Sequence, residues 1–182
     1  MPYQVIVRHP RGYATGLGCL LAAEWRVVFF PSAVDPRDDP DLWREGETSG
    51  DSVAIETTAI DFRFGHEGPS SLKPGGVNDD MLAASSLPKD HFGTIATTSV
   101  EFPPGTYTLR VTSDDGVRVL VDGKVVVEDW TRHAPRESTA ELVFSETRTV
   151  EIRVEHFELD GLATLSLRID AELDPARRFV PR

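Results

Sequence analysis

Asp114 and Asp115 are neighbours in Ser113-Asp114-Asp115-Gly116, and adjacent carboxylates lend themselves to two kinds of work. They can chelate a hard divalent cation such as Ca²⁺, which gathers about 6–8 oxygen ligands. Alternatively, Ser, Asp and Gly are the residues of turns, with an Asp oxygen accepting from nearby backbone N–H groups. In an extended trans strand successive side chains point to opposite faces. Joint chelation by Asp114 and Asp115 therefore requires a kinked or cis backbone between them. Side by side, they suit ligation better than the roles of an acid and a base facing each other across a substrate.

The segments around this pair read as β-structure. Tyr107, Leu109 and Val111 alternate with Thr106, Thr108, Arg110 and Thr112, the period-two pattern of a strand with one buried face. Val117, Val119 and Val121 repeat it. Asp122-Gly123 between Val-rich runs is a strong hairpin signal, because a two-residue primed turn needs positive φ at both positions. Further strands are expected at Trp25–Phe30, within 52–64, at Ser138–Phe144, at Thr147–Phe157 and through Leu165, Leu167 and Ile169. In the penultimate strand Val150, Ile152 and Val154 are expected to face in and Glu151, Arg153 and Glu155 out. The fold class is all-β, an antiparallel sandwich or barrel with long loops.

Two long connections interrupt this pattern. Residues 31–51, rich in Pro, Asp, Gly and Glu, read as a solvated loop that Leu42-Trp43 could tuck against the sheet; its Asp35, Asp38, Asp39 and Asp41 lack EF-hand spacing. Residues 65–89 form the second, where Asn78-Asp79-Asp80 reads as a helix cap or loop.

Composition removes other classes. With 19 Lys and Arg against 30 Asp and Glu, the net charge of −11 and the lack of a basic stripe oppose nucleic-acid binding. The single cysteine, Cys19, excludes an internal disulfide and a Cys-based zinc site. No segment reaches the roughly 18 apolar residues of a membrane span. Residues 1–23 read as an N-terminal strand and extension rather than a signal peptide, 24–170 as the domain, and 171–182 as a tail or linker joining a larger protein. His-Glu-x-x-His, phosphate-cradling glycine loops and Gly-x-Ser-x-Gly are all absent, so no enzyme activity is expected.

The run Tyr107-x-Leu109-x-Val111-x-Ser113-Asp114-Asp115-Gly116-Val117-Arg118-x-x-Val121-Asp122-Gly123-Lys124, with Asp129-Trp130 after it, resembles the signature of the PA14 domain family. Glu24–Phe30 is similar to the family's opening strand, Ile60–Gly65 with Gly68-Pro69 to its second block, and Val150–Ile169 to its terminal hairpin. The resemblance implies a β-rich accessory module of extracellular or cell-surface proteins that recognises glycans or cell-surface carbohydrate, with Ca²⁺ as cofactor held by Asp114 and Asp115 through a cis peptide. It further implies a contribution from the loop Phe157-Glu158-Leu159-Asp160-Gly161, which offers Glu158 and Asp160 where the family has an amide. On this reading the metal ligands are Asp114, Asp115, Glu158 and Asp160, and the carbohydrate contacts are Asp114, Asp115, Gly161 and Trp130. Trp130 would stack on a sugar ring, with a core role as its alternative; for His133 a structural hydrogen bond is expected. Two competing readings are a metal-free structural or protein-interaction module, in which the aspartates only cap the corner, and an independent hydrolase.

Overall fold

The computed structural model describes residues 23–172. The expected N-terminal strand and most of the C-terminal tail lie outside them. The described chain runs β1 (Trp25–Pro31), α1 (Pro40–Glu45), β2 (Val53–Thr57), β3 (Ile60–Gly65), α2 (Asp79–Ala83), β4 (Phe92–Phe102), β5 (Gly105–Asp114), β6 (Val117–Val121), β7 (Lys124–Asp129), β8 (Arg136–Phe144), β9 (Arg148–Glu158) and β10 (Ala163–Ala171). These strands form two antiparallel sheets, ordered β2-β1-β4-β9-β6-β7 and β3-β10-β5-β8. The segment 52–64, read as one strand, is two, and its two halves belong to different sheets.

The core between the sheets is built by the alternation seen in the sequence. Tyr107, Leu109, Val111, Val150, Ile152, Val154, Leu165 and Ile169 are all buried in it. Asp122 and Gly123 turn β6 into β7 with φ of 47° and 75°, both positive as a primed turn requires.

The segment 31–51 is more than a solvated loop. It contains α1, capped by Asp39, whose Oδ1 accepts from Leu42 N at 3.0 Å, with Pro40 at the first position where a missing N–H costs nothing. This helix lays Trp43 on the outer face of the six-stranded sheet, against a second cluster of Val28, Phe30, Ile95, Phe157 and Leu159. β1 is thus buried on both faces, which explains its unbroken Val27-Val28-Phe29-Phe30 run. Leu42 stays exposed.

The same cover overturns the outward placing of Glu155, which is only 1% exposed. Its carboxylate receives Arg44 Nε at 2.8 Å and Nη2 at 3.0 Å, and Arg153 Nε at 3.1 Å. Arg153 in turn donates to Glu47 at 2.8 Å. Burial pushes the Glu155 carboxyl up, but hydrogen bonds from Arg44 and Arg153 outweigh it and hold the group below the ordinary glutamate range. Among the described residues no helix is long and apolar enough to cross a membrane.

Trp43 packs on Phe30 and Trp130 with ring centroids 5.1 and 5.3 Å away. Trp43→Ala is expected to destabilise the domain by about 3–5 kcal/mol, the usual range for removing a buried aromatic, as read from urea unfolding midpoints.

Candidate functional site

Asp114 ends β5 in one sheet and Val117 begins β6 in the other, so Asp115-Gly116 alone carries the chain across. The Asp114–Asp115 peptide is cis. Glu158, the last residue of β9, comes to the same corner. Carboxylate oxygens of Asp114, Asp115 and Glu158 all lie within 4.8 Å of one another, on side chains of residues only 7%, 2% and 1% exposed. Gly116 is required for packing, since a Cβ there would stand 2.3 Å from Cε1 of Phe157.

The three acids are held differently. Asp115 Oδ1 accepts from His133 N at 2.9 Å and its Oδ2 from Leu159 N at 3.1 Å, so it ties the β7–β8 and β9–β10 connections to the corner. The Asp114 backbone carbonyl accepts from His156 Nε2 at 2.9 Å. Neither oxygen of Glu158 has a hydrogen-bond partner of good geometry. Burial, followed by the charges of Asp115 and Asp114, pushes the Glu158 carboxyl up to about 9, with the nearby Asp115 backbone N–H offsetting a little. Burial and then Asp115 raise Asp114 to about 6, against the opposing pull of His133 and Arg132.

Unpaired oxygens on a buried carboxylate are rare, because desolvation without a partner is costly. Three converging carboxylates, hard donors with one member lacking a well-formed hydrogen bond, fit a hard divalent cation. The donor set contains neither sulfur nor imidazole, and so does not suit a softer metal.

Other residues singled out in the sequence lie elsewhere. Asp160 is exposed, pairs with Arg132 and is not among the converging acids. Trp130 is half-buried: its Nε1 donates to Pro36 O at 2.9 Å, Arg118 lies 4.3 Å over its ring, and Phe157 and Trp43 meet it edge-on. These contacts pack the ring against the second cluster. Gly161, at φ 106°, lies three residues beyond Glu158; its N donates to Asp90 Oδ1 at 3.0 Å and its O lies 2.9 Å from His66 Nδ1. The His133 side chain sits 3.3 Å from Asp129 Oδ2, while its backbone N–H serves Asp115. Asn78 begins α2 without a side-chain cap bond and donates instead to Ala54 O.

Two participants escaped the sequence reading, Asp90 and His156. The alternation Val150, Ile152, Val154 continues into His156 and Glu158 on one face, and that switch from apolar to ionisable residues was the available signal.

The metal-free protein carries a pH signature. An acid whose folded pKa is raised destabilises the fold above its unfolded pKa, and the penalty is complete once pH passes the folded value. His156, lowered to about 4 chiefly by burial, gives its full stability above its ordinary 6.5. Between pH 6.5 and about 9 Glu158 is therefore the group that titrates here, and in chelator the unfolding midpoint is expected to fall with rising pH. Glu158→Gln is expected to flatten that slope; an unchanged slope would show that Glu158 is not its source.

Comparison with known proteins places this geometry. A PA14 domain family model matches residues 45–176. No curated protein matches the chain. Among solved structures, the PA14 domain of the MpAFP antifreeze protein is similar with TM-score 0.63 and 16% identity, covering 88% of this chain and 87% of that one. An anti-sigma factor domain-containing protein gives TM-score 0.61 and 20% identity over 83% of this chain, which spans only 43% of that protein's chain. A PA14 sugar-binding domain from an RTX adhesin gives TM-score 0.50 and 15% identity, covering 81% and 89%. The two-sheet sandwich, the Asp-Asp corner and the family match over most of its length together show that the chain belongs to the PA14 domain family.

Proposed function

We propose that this domain is a non-catalytic carbohydrate-binding module in which Asp114, Asp115 and Glu158 hold Ca²⁺ at the end of the sandwich. The observation that carries this reading is Glu158, buried and without a hydrogen-bond partner, turned toward two more carboxylates. When bound, calcium supplies a hard positive centre that neutralises the acids and offers its remaining positions to sugar hydroxyl oxygens.

The chain's own residues shape what reaches that centre. Asp115 fixes the connections carrying Arg132 and Asp160, and these two pair at the exposed rim. There they offer a donor and an acceptor side by side, a match for adjacent hydroxyls. The Gly161 peptide, pinned by Asp90 and facing His66, adds a second edge. The sugar-binding description of the RTX adhesin domain, which shares this fold, supports the class of ligand. Affinity at one such site is expected to be weak, so the module would work by repetition or attachment within a larger cell-surface protein.

A hydrolase is disfavoured by burial. Glycosidase carboxyls flank a bound sugar, whereas these three acids are almost wholly buried. A metal-free interaction module is favoured by one observation, the two backbone amides on Asp115. That reading leaves Glu158 without an account.

Calorimetric titration of the purified chain is expected to show saturable calcium binding, with a Kd on the order of 10⁻⁴–10⁻³ M as in extracellular modules. Asp114→Asn/Asp115→Asn should abolish it. Glu158→Gln, which sacrifices no existing hydrogen bond, should weaken it strongly, and calcium should be needed for retention on a glycan array. Absence of binding at millimolar calcium would sink this reading and leave the interaction module.

A further inference from the structure

His156 is wholly buried, and both of its ring nitrogens are committed. The Asp114 carbonyl can only accept, so His156 Nε2 carries the hydrogen and donates to it at 2.9 Å. Nδ1 is then the acceptor, 3.3 Å from the Thr94 hydroxyl, which must donate. One neutral tautomer satisfies both contacts. The ring is also clamped mechanically, stacked on Phe64 at 5.8 Å with 4° between planes and flanked by Phe92 at 6.1 Å.

His156 and Glu158 are two apart on β9, so their side chains leave the strand on the same face. One strand thus brings an acid to the corner and a donor to the corner's backbone. We propose that His156 is the positioning residue of this site: its Nε2–H anchors the Asp114 carbonyl so that the Asp114 and Asp115 carboxylates stay turned toward Glu158. The assignment rests on reading the three acids as a cation site. Its logic is that of outer partners that orient metal ligands, whose loss commonly costs about 10–100-fold in metal affinity. Here the anchor acts on the ligand's backbone instead of its carboxylate, leaving those oxygens free.

The test uses the whole chain with calcium alone as probe, and a metal-free readout beside it. His156→Phe keeps a buried ring and removes the donor; His156→Gln returns an N–H at nearly the same reach. Thr94→Val serves as a second route if His156→Phe fails to fold, since it strips Nδ1 of its partner and weakens the hold on the ring that carries the Nε2–H donor. Phe102→Leu, a core truncation at the opposite end of β4, controls for lost stability. In chelator, amide NMR signals of His133 and Leu159, which report where Asp115 sits, are expected to move in His156→Phe and Thr94→Val, and to stay near wild type in His156→Gln and Phe102→Leu. Calcium affinity is expected to fall about 10–100-fold in His156→Phe and to recover for the most part in His156→Gln. Unmoved amides in His156→Phe, or in Thr94→Val where His156→Phe fails to fold, or wild-type calcium affinity in His156→Phe, would overturn the assignment. A wild-type chain that ignores calcium would overturn the proposed function instead, and the metal-free amide shifts would still decide the role of His156.

Discussion

Three carboxylates buried within reach of one another form the constraint on which the rest of this end of the molecule depends. Like charges at such separations cannot all ionise in a dry setting, so the site must take up protons or a cation. Everything adjoining it holds the acids in place: the glycine at 116 that lets Phe157 approach, the two amides on Asp115, and the imidazole on the Asp114 carbonyl. None of these contacts neutralises the charge. The geometry is fixed by neutral donors and the electrostatic demand is left open, which is the arrangement expected where a cation completes the site.

β9 makes that point by contrast. It carries two buried glutamates three residues apart on opposite faces. Glu155 is met by Arg44 and Arg153 and held below the ordinary carboxylate range. Glu158 is met by no cation and pushed far above it. The fold commits an added helix and two arginines to satisfying the first. Breaking a buried pair commonly costs several kcal/mol, so the second, left unpaired beside two more acids, is not explained by burial of a convenient side chain. The two faces are also coupled mechanically, since Trp43, Trp130 and Phe157 form a chain of rings from α1 to Gly116.

The strands and the corner were legible in the sequence because period-two alternation and Asp-Gly chemistry are local signals. What sequence reading missed was non-local. Glu155 alternates like a solvent-facing residue, and only the distant 31–51 segment, folded over it, makes it buried. The signal for that segment existed in Asp39-Pro40, an N-cap followed by proline at the first helical position, but six residues of helix leave little periodicity. At the site, Asp114 and Asp115 could be read from adjacency, whereas Glu158 was reached only through family resemblance. Asp160 came with it from the same loop, and its side chain goes instead to Arg132. Trp130 looks in sequence like a ligand platform or a core residue, and the structure packs it, half-buried, with Arg118, Phe157 and Trp43. His156 was hidden because a lone histidine ending an apolar face gives no hint of which carbonyl it will meet.

The topology explains why the acids gather where they do. Asp114 pairs in register with Thr164 and Ser113 with Arg136, while Val117 pairs with both Asp129 and His156. The β5–β6, β7–β8 and β9–β10 crossovers between the sheets therefore meet at one end of the sandwich. Asp115 sits in the first and bonds the second at His133 and the third at Leu159. Those bonds use backbone amides, so exposed side chains on these loops, such as Arg132, Asp160 and Leu162, can vary without removing them. The cation site proposed at this junction would be held by the fold, and the rim that would select a ligand is carried by loops, the division of labour that lets one scaffold serve different ligands.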